Sequence, residues 1–180
     1  MARISFCAGP GAGKSTSAAW LFSELKIRSY SVELVSEYVK MWSYQKRTVN
    51  EFDQCYIAGK QLYYEYRFLS QGVKNVVTDS PIILSSIYAK INCKDIQISA
   101  PLRQIALEFE KKYPSIIIFL ERKDKPYFQE GRYQNYEQAL ELDKLIRKSV
   151  VEVFDKEQIF FVDYNDKKKI LDIAVNYCSK

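Results

Sequence analysis

The sequence contains no histidine. That absence removes Ser-His-Asp triads, imidazole proton shuttles, helical zinc-protease sites and the His-bearing deaminase centre together. Any catalysis must run on carboxylates, lysine, arginine, hydroxyls or a metal held by oxygen. Cysteine is sparse as well: Cys7, Cys55, Cys93 and Cys178 form no CxxC pair. A zinc ribbon and a thioredoxin-type motif are excluded, and reduced, mostly buried thiols in a cytosolic protein are expected. Long apolar runs are also missing. The longest aliphatic and aromatic stretch, Ile116 to Leu120, is far too short to cross a bilayer, and the first residues lack the basic segment that opens a signal peptide. The sequence thus predicts a soluble, cytoplasmic protein. No low-complexity tract, internal repeat or Pro/Gly/Ser linker breaks the chain, which reads as one domain over residues 1–180.

What is present is core-forming material. Of 180 residues 47% are apolar, enough for one sizeable core, which excludes a disordered chain. The 27 Lys and Arg exceed the 22 Asp and Glu by 27 − 22 = 5, an excess that permits polyanionic partners without naming nucleic acid. Short β-branched or aromatic runs at Ile4–Ala8, Val32–Val35, Val76–Thr78, Ile116–Leu120 and Ile159–Val162 predict five buried strands. Amphipathic patterns at Gly13–Lys26, Glu51–Ser70, Ile82–Lys90, Leu102–Lys112, Tyr136–Phe154 and Lys167–Tyr177 predict helices between and after them. In the second helix the apolar stripe is Phe52, Tyr56, Leu62, Tyr63, Tyr66 and Leu69, with Gln54, Gln61 and Glu65 on another face. The alternation of strand and helix predicts an α/β fold, a parallel sheet with helices on both faces.

The first strand runs into Ala8-Gly9-Pro10-Gly11-Ala12-Gly13-Lys14-Ser15-Thr16, a Walker A loop with alanine in place of its first glycine. Small residues let such a loop wrap a phosphate, backbone N–H groups point inward, and the following helix adds its positive dipole end. Gly9, Gly11, Ala12, Gly13, Lys14, Ser15 and Thr16 are therefore the expected nucleotide-binding residues. Lys14 reaches the β and γ phosphates of ATP, Ser15 offers a hydroxyl to Mg²⁺ and Thr16 a hydroxyl near the α or β phosphate. A dinucleotide fingerprint is excluded, because its last glycine falls where Lys14 stands.

Two carboxylates stand at strand ends. Asp79, after Val76-Val77-Thr78, is placed to hold Mg²⁺ opposite Ser15; its alternative role is to cap the helix opening near Pro81. The next residue is Ser80, not the second acid of a motor ATPase. Glu37 follows the second strand, and ligands of α/β sheets sit beyond the carboxyl ends of strands, so it is expected to face Lys14 and take the proton of an attacking hydroxyl. Trp42 is either a stacking surface for an acceptor base or part of the core.

These residues resemble the P-loop nucleoside and nucleotide kinases. Ser36-Glu37-Tyr38-Val39-Lys40-Met41-Trp42 looks like the Glu-Pro-Val…Trp stretch of deoxynucleoside kinases, with Tyr38 in place of proline. The nearer likeness is to phage-type and nicotinamide-riboside-kinase-like P-loop domains that carry an AAA label. Their motifs read here as Glu37-Tyr38, Gln54 with Gln61, Thr78-Asp79-Ser80-Pro81 and Gly131-Arg132-Tyr133-Gln134. The resemblance implies a three-layer sandwich around a five-stranded parallel sheet in order 2-3-1-4-5, an acceptor site over strands two and three, and a lid at about residues 121–136. Some phage relatives phosphorylate 5-hydroxymethyluracil in DNA, so the accepting hydroxyl need not lie on a free nucleoside; were the chain phage-encoded, the cytoplasm would be that of the host.

Cations follow the fourth strand in Glu121-Arg122-Lys123-Asp124-Lys125 and again at Arg132 beside Gly131. Arg122 and Arg132 are the expected groups over the transferring phosphoryl, since a planar guanidinium suits phosphate. On the long second helix Gln61 is the expected base reader, with Tyr63 and Arg67 toward sugar or phosphate. Three readings stand on this evidence: a kinase acting on a free nucleoside or nucleotide, a kinase acting on a modified base in DNA, and a nucleotide switch or assembly module without transfer chemistry. Monomer and homodimer are both open.

Overall fold

The structure is a computed structural model, and it describes residues 2–93, 96–123 and 126–178. Among the described residues there are five strands: β1 (Ala2–Cys7), β2 (Val32–Val35), β3 (Asn75–Thr78), β4 (Ser115–Glu121) and β5 (Ile159–Asp163). All pair in parallel, in the order β2-β3-β1-β4-β5. Each expected strand is found within a few residues of its predicted bounds. The helices are α1 (Lys14–Ile27), α2 (Lys40–Tyr44), α3 (Asp53–Leu69), α4 (Ile83–Asn92), α5 (Ser99–Lys112), α6 (Tyr136–Val153) and α7 (Lys167–Tyr177). Only the short α2 lacks a counterpart in the sequence pattern, because five residues are too few for a helical period to emerge.

Strand alternation sorts the core into two layers. Ile4, Phe6, Ile116, Ile118 and Leu120 face α1 and α7, meeting Leu21, Leu25, Ile170 and Ile173. Cys7, Val76, Ile117 and Phe119 face the other way, onto Leu69, Ile83, Phe109, Leu142 and Ile146 of α3 to α6. Both faces being covered, the strands are apolar on both sides, as buried parallel sheets require. The chain departs from β1 toward β3 and β2 on one side and toward β4 and β5 on the other. The carboxyl end of β1 is thus the switch point where such sheets open a crevice.

α3 turns the aromatic part of its apolar stripe outward while Leu69 stays buried at 2% exposure. Gln54, Gln61 and Glu65 are buried at 5%, 3% and 0% exposure, whereas Phe52, Tyr56, Tyr63 and Tyr66 stand out at 66%, 48%, 56% and 41%. The reason lies in β1, where Arg3 is 2% exposed. A cation buried in a sheet needs acidic partners, and Arg3 has Glu65 at 2.8 Å with Glu110 of α5 as the second. Among the described residues no helix is long and apolar enough to cross a membrane, and the four cysteines are free thiols.

Candidate active site

The loop between β1 and α1 turns on glycine. Gly11 and Gly13 have φ of 75° and 97°, the left-handed region that a side chain disfavours. Gly13 is the N-cap of α1 and offers no side-chain cap, so the first amides of a fourteen-residue helix are left to an anion. Lys14 bends back over the loop, its Nζ donating to the Ala8 and Gly9 carbonyls at 2.9 and 3.0 Å.

This loop forms one wall of a cavity of about 950 Å³. Lys14, Ser15 and Thr16 line it together with Glu37, Gln54, Gln61, Tyr88 and Arg132. Glu37 is half-buried just past β2. Its backbone amide donates to Asp79 Oδ1 at 2.7 Å, which ties the ends of β2 and β3 together at the crevice. Burial pushes the Glu37 carboxyl above the usual carboxylate range, Lys14 pulls it back, and Asp79 raises it again. A carboxylate so raised accepts a proton more readily than an exposed glutamate.

Asp79 does not cap α4. The N-cap there is Ile82, which makes no side-chain cap bond, and Asp79, 3% exposed, turns to Glu37 instead. Ser15, Asp79 and Glu37 offer hard oxygen donors, which suits Mg²⁺. Among the described residues no group of three or more His, Cys, Asp or Glu forms a cage for a metal ion. A Mg²⁺ held here would take the rest of its shell from phosphate and water, as this ion ordinarily does.

Gln61 lines the cavity, but both ends of its amide are engaged. Its Oε1 accepts from the Tyr38 amide at 3.2 Å and its Nε2 donates to Thr78 Oγ1 at 3.3 Å. The side chain fixes the backbone beside Glu37; the expectation that it reads a base gives way to that role. Trp42 is 5% exposed and lies outside the cavity wall. Arg47 sits 3.4 Å from its ring centroid, Tyr56 stacks at 6.1 Å and Tyr38 meets it edge-on, so the ring is already packed and not presented to an acceptor. Tyr63 is on the outward face of α3. Arg67 lies over Tyr64 and Phe68 at 5.1 and 4.7 Å. Neither lines the cavity, and both follow from the outward turn of the aromatic stripe of α3.

The connection 126–135 crosses to α2. Ser43 Oγ donates to the Gly131 carbonyl at 2.8 Å, and Tyr133 OH donates to the Arg47 carbonyl at 2.6 Å. Arg132 donates to the Phe128 carbonyl and lies 5.4 Å from the Tyr127 ring. Arg122 is held from α6: its Nε pairs with Asp143 Oδ2 at 2.8 Å. Asp124 and Lys125 of the predicted cationic run lie outside the described residues. Sequence reading passed over Asp143 and Tyr88. Asp143 sits in an ordinary helical pattern, and nothing local marks the approach of α6 to Gly9 of the loop. Tyr88 lines the cavity from α4, and burial together with Glu37 raises its hydroxyl pKa.

A family model described as AAA domain matches residues 3–162. No curated protein matches the chain. Among solved structures, the NadR protein in complex with NR is similar with a TM-score of 0.72 at 15% identity, covering 99% of this chain and 51% of that one. The chain thus spans about half the length of that protein. The deoxyadenosine kinase from M. mycoides, with products dCMP and a flexible dCDP bound, is similar at a TM-score of 0.60 and 18% identity, with 97% of each chain covered. At such identities the likeness is one of fold, a P-loop three-layer sandwich.

Proposed function

The chain belongs to the AAA-domain family whose model spans residues 3–162, and from that premise we propose that it is a kinase carrying the γ-phosphoryl group of ATP to a hydroxyl of a nucleoside or nucleotide. The observation that carries the proposal is Glu37: a carboxylate of raised pKa, anchored through its amide to Asp79, in the same cavity as Lys14. A switch needs a phosphate loop but has no use for a proton acceptor facing a second compartment.

In this reading the amides of Gly11 to Thr16 and the Lys14 ammonium bind the phosphates, Lys14 leaving its two loop carbonyls for the β and γ oxygens. Ser15 and Asp79 are the residues to hold Mg²⁺, which when bound neutralises charge on those oxygens. Glu37 orients the acceptor hydroxyl and receives its proton as the new P–O bond forms and the bond to the β-phosphate oxygen breaks. Arg122 and Arg132 face the charge on the transferring group. The acceptor occupies the end of the cavity walled by Gln54, Ile57, Tyr88 and Asn92. The connection 126–135 acts as the lid. NR and deoxynucleotides are what the two similar structures contain, and they define the first acceptors to offer.

A second acceptor class has one observation in its favour. Lys40 and Lys46 line the cavity on its α2 side, where they would meet the phosphates of a polynucleotide, so DNA containing hydroxymethylated bases belongs in the same assay. The test is transfer of labelled phosphate from ATP with Mg²⁺ to each acceptor class, by the parent and by Glu37→Gln. The variant keeps a hydrogen-bond acceptor but loses the charge that takes the proton. Its kcat is expected to fall on the order of 10²–10⁴-fold with nucleotide binding retained. Transfer at the parent rate by a folded Glu37→Gln protein would remove Glu37 from the mechanism. A parent that binds ATP and phosphorylates none of the acceptors would favour the switch.

A further inference from the structure

We propose that Asp143 is a positioning residue that aims Arg122 at the terminal phosphate, and so sets the preference of this chain for a nucleoside triphosphate over the diphosphate. The inference rests on the phosphoryl-transfer reading above. It begins with α6, which backs directly onto the phosphate loop: a Cβ on Gly9 would stand 2.7 Å from both the Ala139 carbonyl oxygen and Asp143 Oδ1. No side chain fits between loop and helix at that point, so the two are in direct contact.

The two oxygens of Asp143 do different work. Oδ1 accepts from the Gly9 amide, at the entrance of the loop. Oδ2 pairs with Arg122 Nε at 2.8 Å. The Arg122 side chain is only 4% exposed, and its Nη2 donates to the Pro10 carbonyl. That leaves Nη1, which is buried and has no hydrogen-bond partner among the described residues. It lies 3.4 Å from the position of a Cβ on Gly11, against the stretch of loop that wraps a phosphate. Tyr127 covers the same glycine, its ring 2.7 Å from that position, and keeps water from the guanidinium.

A buried N–H on a cation without an acceptor is costly, and an anionic oxygen relieves that cost. A triphosphate brings one more anionic group to this loop than a diphosphate does, and Nη1 is the donor left to meet it. Arg122 can serve only while its other nitrogens are held, since a free arginine would swing toward solvent. Asp143 does the holding, from a helix rather than from a loop.

Asp143→Asn separates the two contacts. Its one oxygen still accepts from Gly9, while its amide nitrogen, a donor, faces the Arg122 Nε donor. Calorimetric titration of parent and variant with ATP and with ADP, both with Mg²⁺, reads the effect. The parent is expected to prefer ATP. Asp143→Asn should lose about tenfold of that preference while binding ADP within about twofold of the parent. Arg122→Lys keeps the charge without the fork and should lose the preference equally. The double variant should be no worse than either single change, because the two residues act as one unit. If Asp143→Asn does not fold, Arg122→Lys alone carries the measurement. A parent that binds neither nucleotide overturns the proposed function itself. Equal binding of ATP and ADP by the parent, a preference that survives the substitutions, or additive losses overturns the role of Asp143 and leaves the phosphoryl-transfer reading standing.

Discussion

Arg3 and Glu65 organise the molecule at the scale of single residues. Arg3 is set in β1 by the strand pattern, and its guanidinium is shared between Glu65, Glu110 and the Tyr113 carbonyl. Glu110 in turn accepts from the Ser115 amide and hydroxyl at 3.1 and 3.0 Å. Burial pushes the Glu65 carboxyl up to about 7, with Arg3 opposing and Glu110 reinforcing. The folded protein therefore holds a proton on Glu65 that the unfolded chain releases near the ordinary carboxylate range. The stability this contributes is present at acid pH and is lost as pH rises through about 7. Glu65→Gln keeps the shape and cannot titrate. Thermal melts across about pH 5 to 8 should show a melting temperature that falls in the parent and is flatter in the variant. Parallel curves would mean that the carboxyl stays ionised throughout.

Elements are placed by what they must satisfy as much as by what they bury. α3 shows an outward row of tyrosines because its inward row carries Gln61 and Glu65 to the sheet, where Tyr38, Thr78 and Arg3 need them. α6 begins on a capping box between Asn135 and Gln138, which fixes where the helix starts and hence where Asp143 falls against Gly9. Between β4 and α6, the connection over 126–135 docks on α2 through Gly131, whose φ is 69°. A Cβ there would meet Tyr44 Cζ at 2.6 Å. Gly131→Ala should therefore carry about 1 kcal/mol of backbone strain and push Tyr44 aside. Amide exchange over 126–135 is expected to quicken severalfold while α7 keeps its protection. Unchanged exchange in the folded variant would show that the docking does not depend on this glycine.

Across the whole molecule, the sheet order brings three chain segments far apart in sequence to one crevice: the loop after β1, Glu37 after β2 and Asp79 after β3. Because β1 lies beside β3, and β3 beside β2, their carboxyl ends form a continuous rim. A nucleotide bound on that rim stabilises the entire fold by mass action. At about a hundred times its dissociation constant, ATP with Mg²⁺ should add about 2.7 kcal/mol, a rise of roughly 5–10 °C for a domain of this size. Lys14→Ala should melt near the parent without ligand and lose most of that rise. A full shift in the folded variant would show that the nucleotide binds elsewhere.

Much of this was legible in the chain itself. The unbroken apolar run from Ile116 to Leu120, the glycine spacing around Lys14 and the acids ending two strands determined the parallel sheet, the phosphate loop and the two carboxylates. These are local signals, carried by neighbours within one or two turns or pleats. The orientation of α3, the packing around Trp42, the engagement of Gln61 and the hold of Asp143 on Arg122 were decided only in the tertiary structure. Each depends on a partner supplied by another element: Arg3 from β1, Arg47 beyond α2, the Tyr38 amide after β2, the Gly9 amide in the loop. Apolar periodicity registers how greasy a face is. It does not register that a buried cation or an unpaired amide on a distant segment makes the polar face the one that must turn inward.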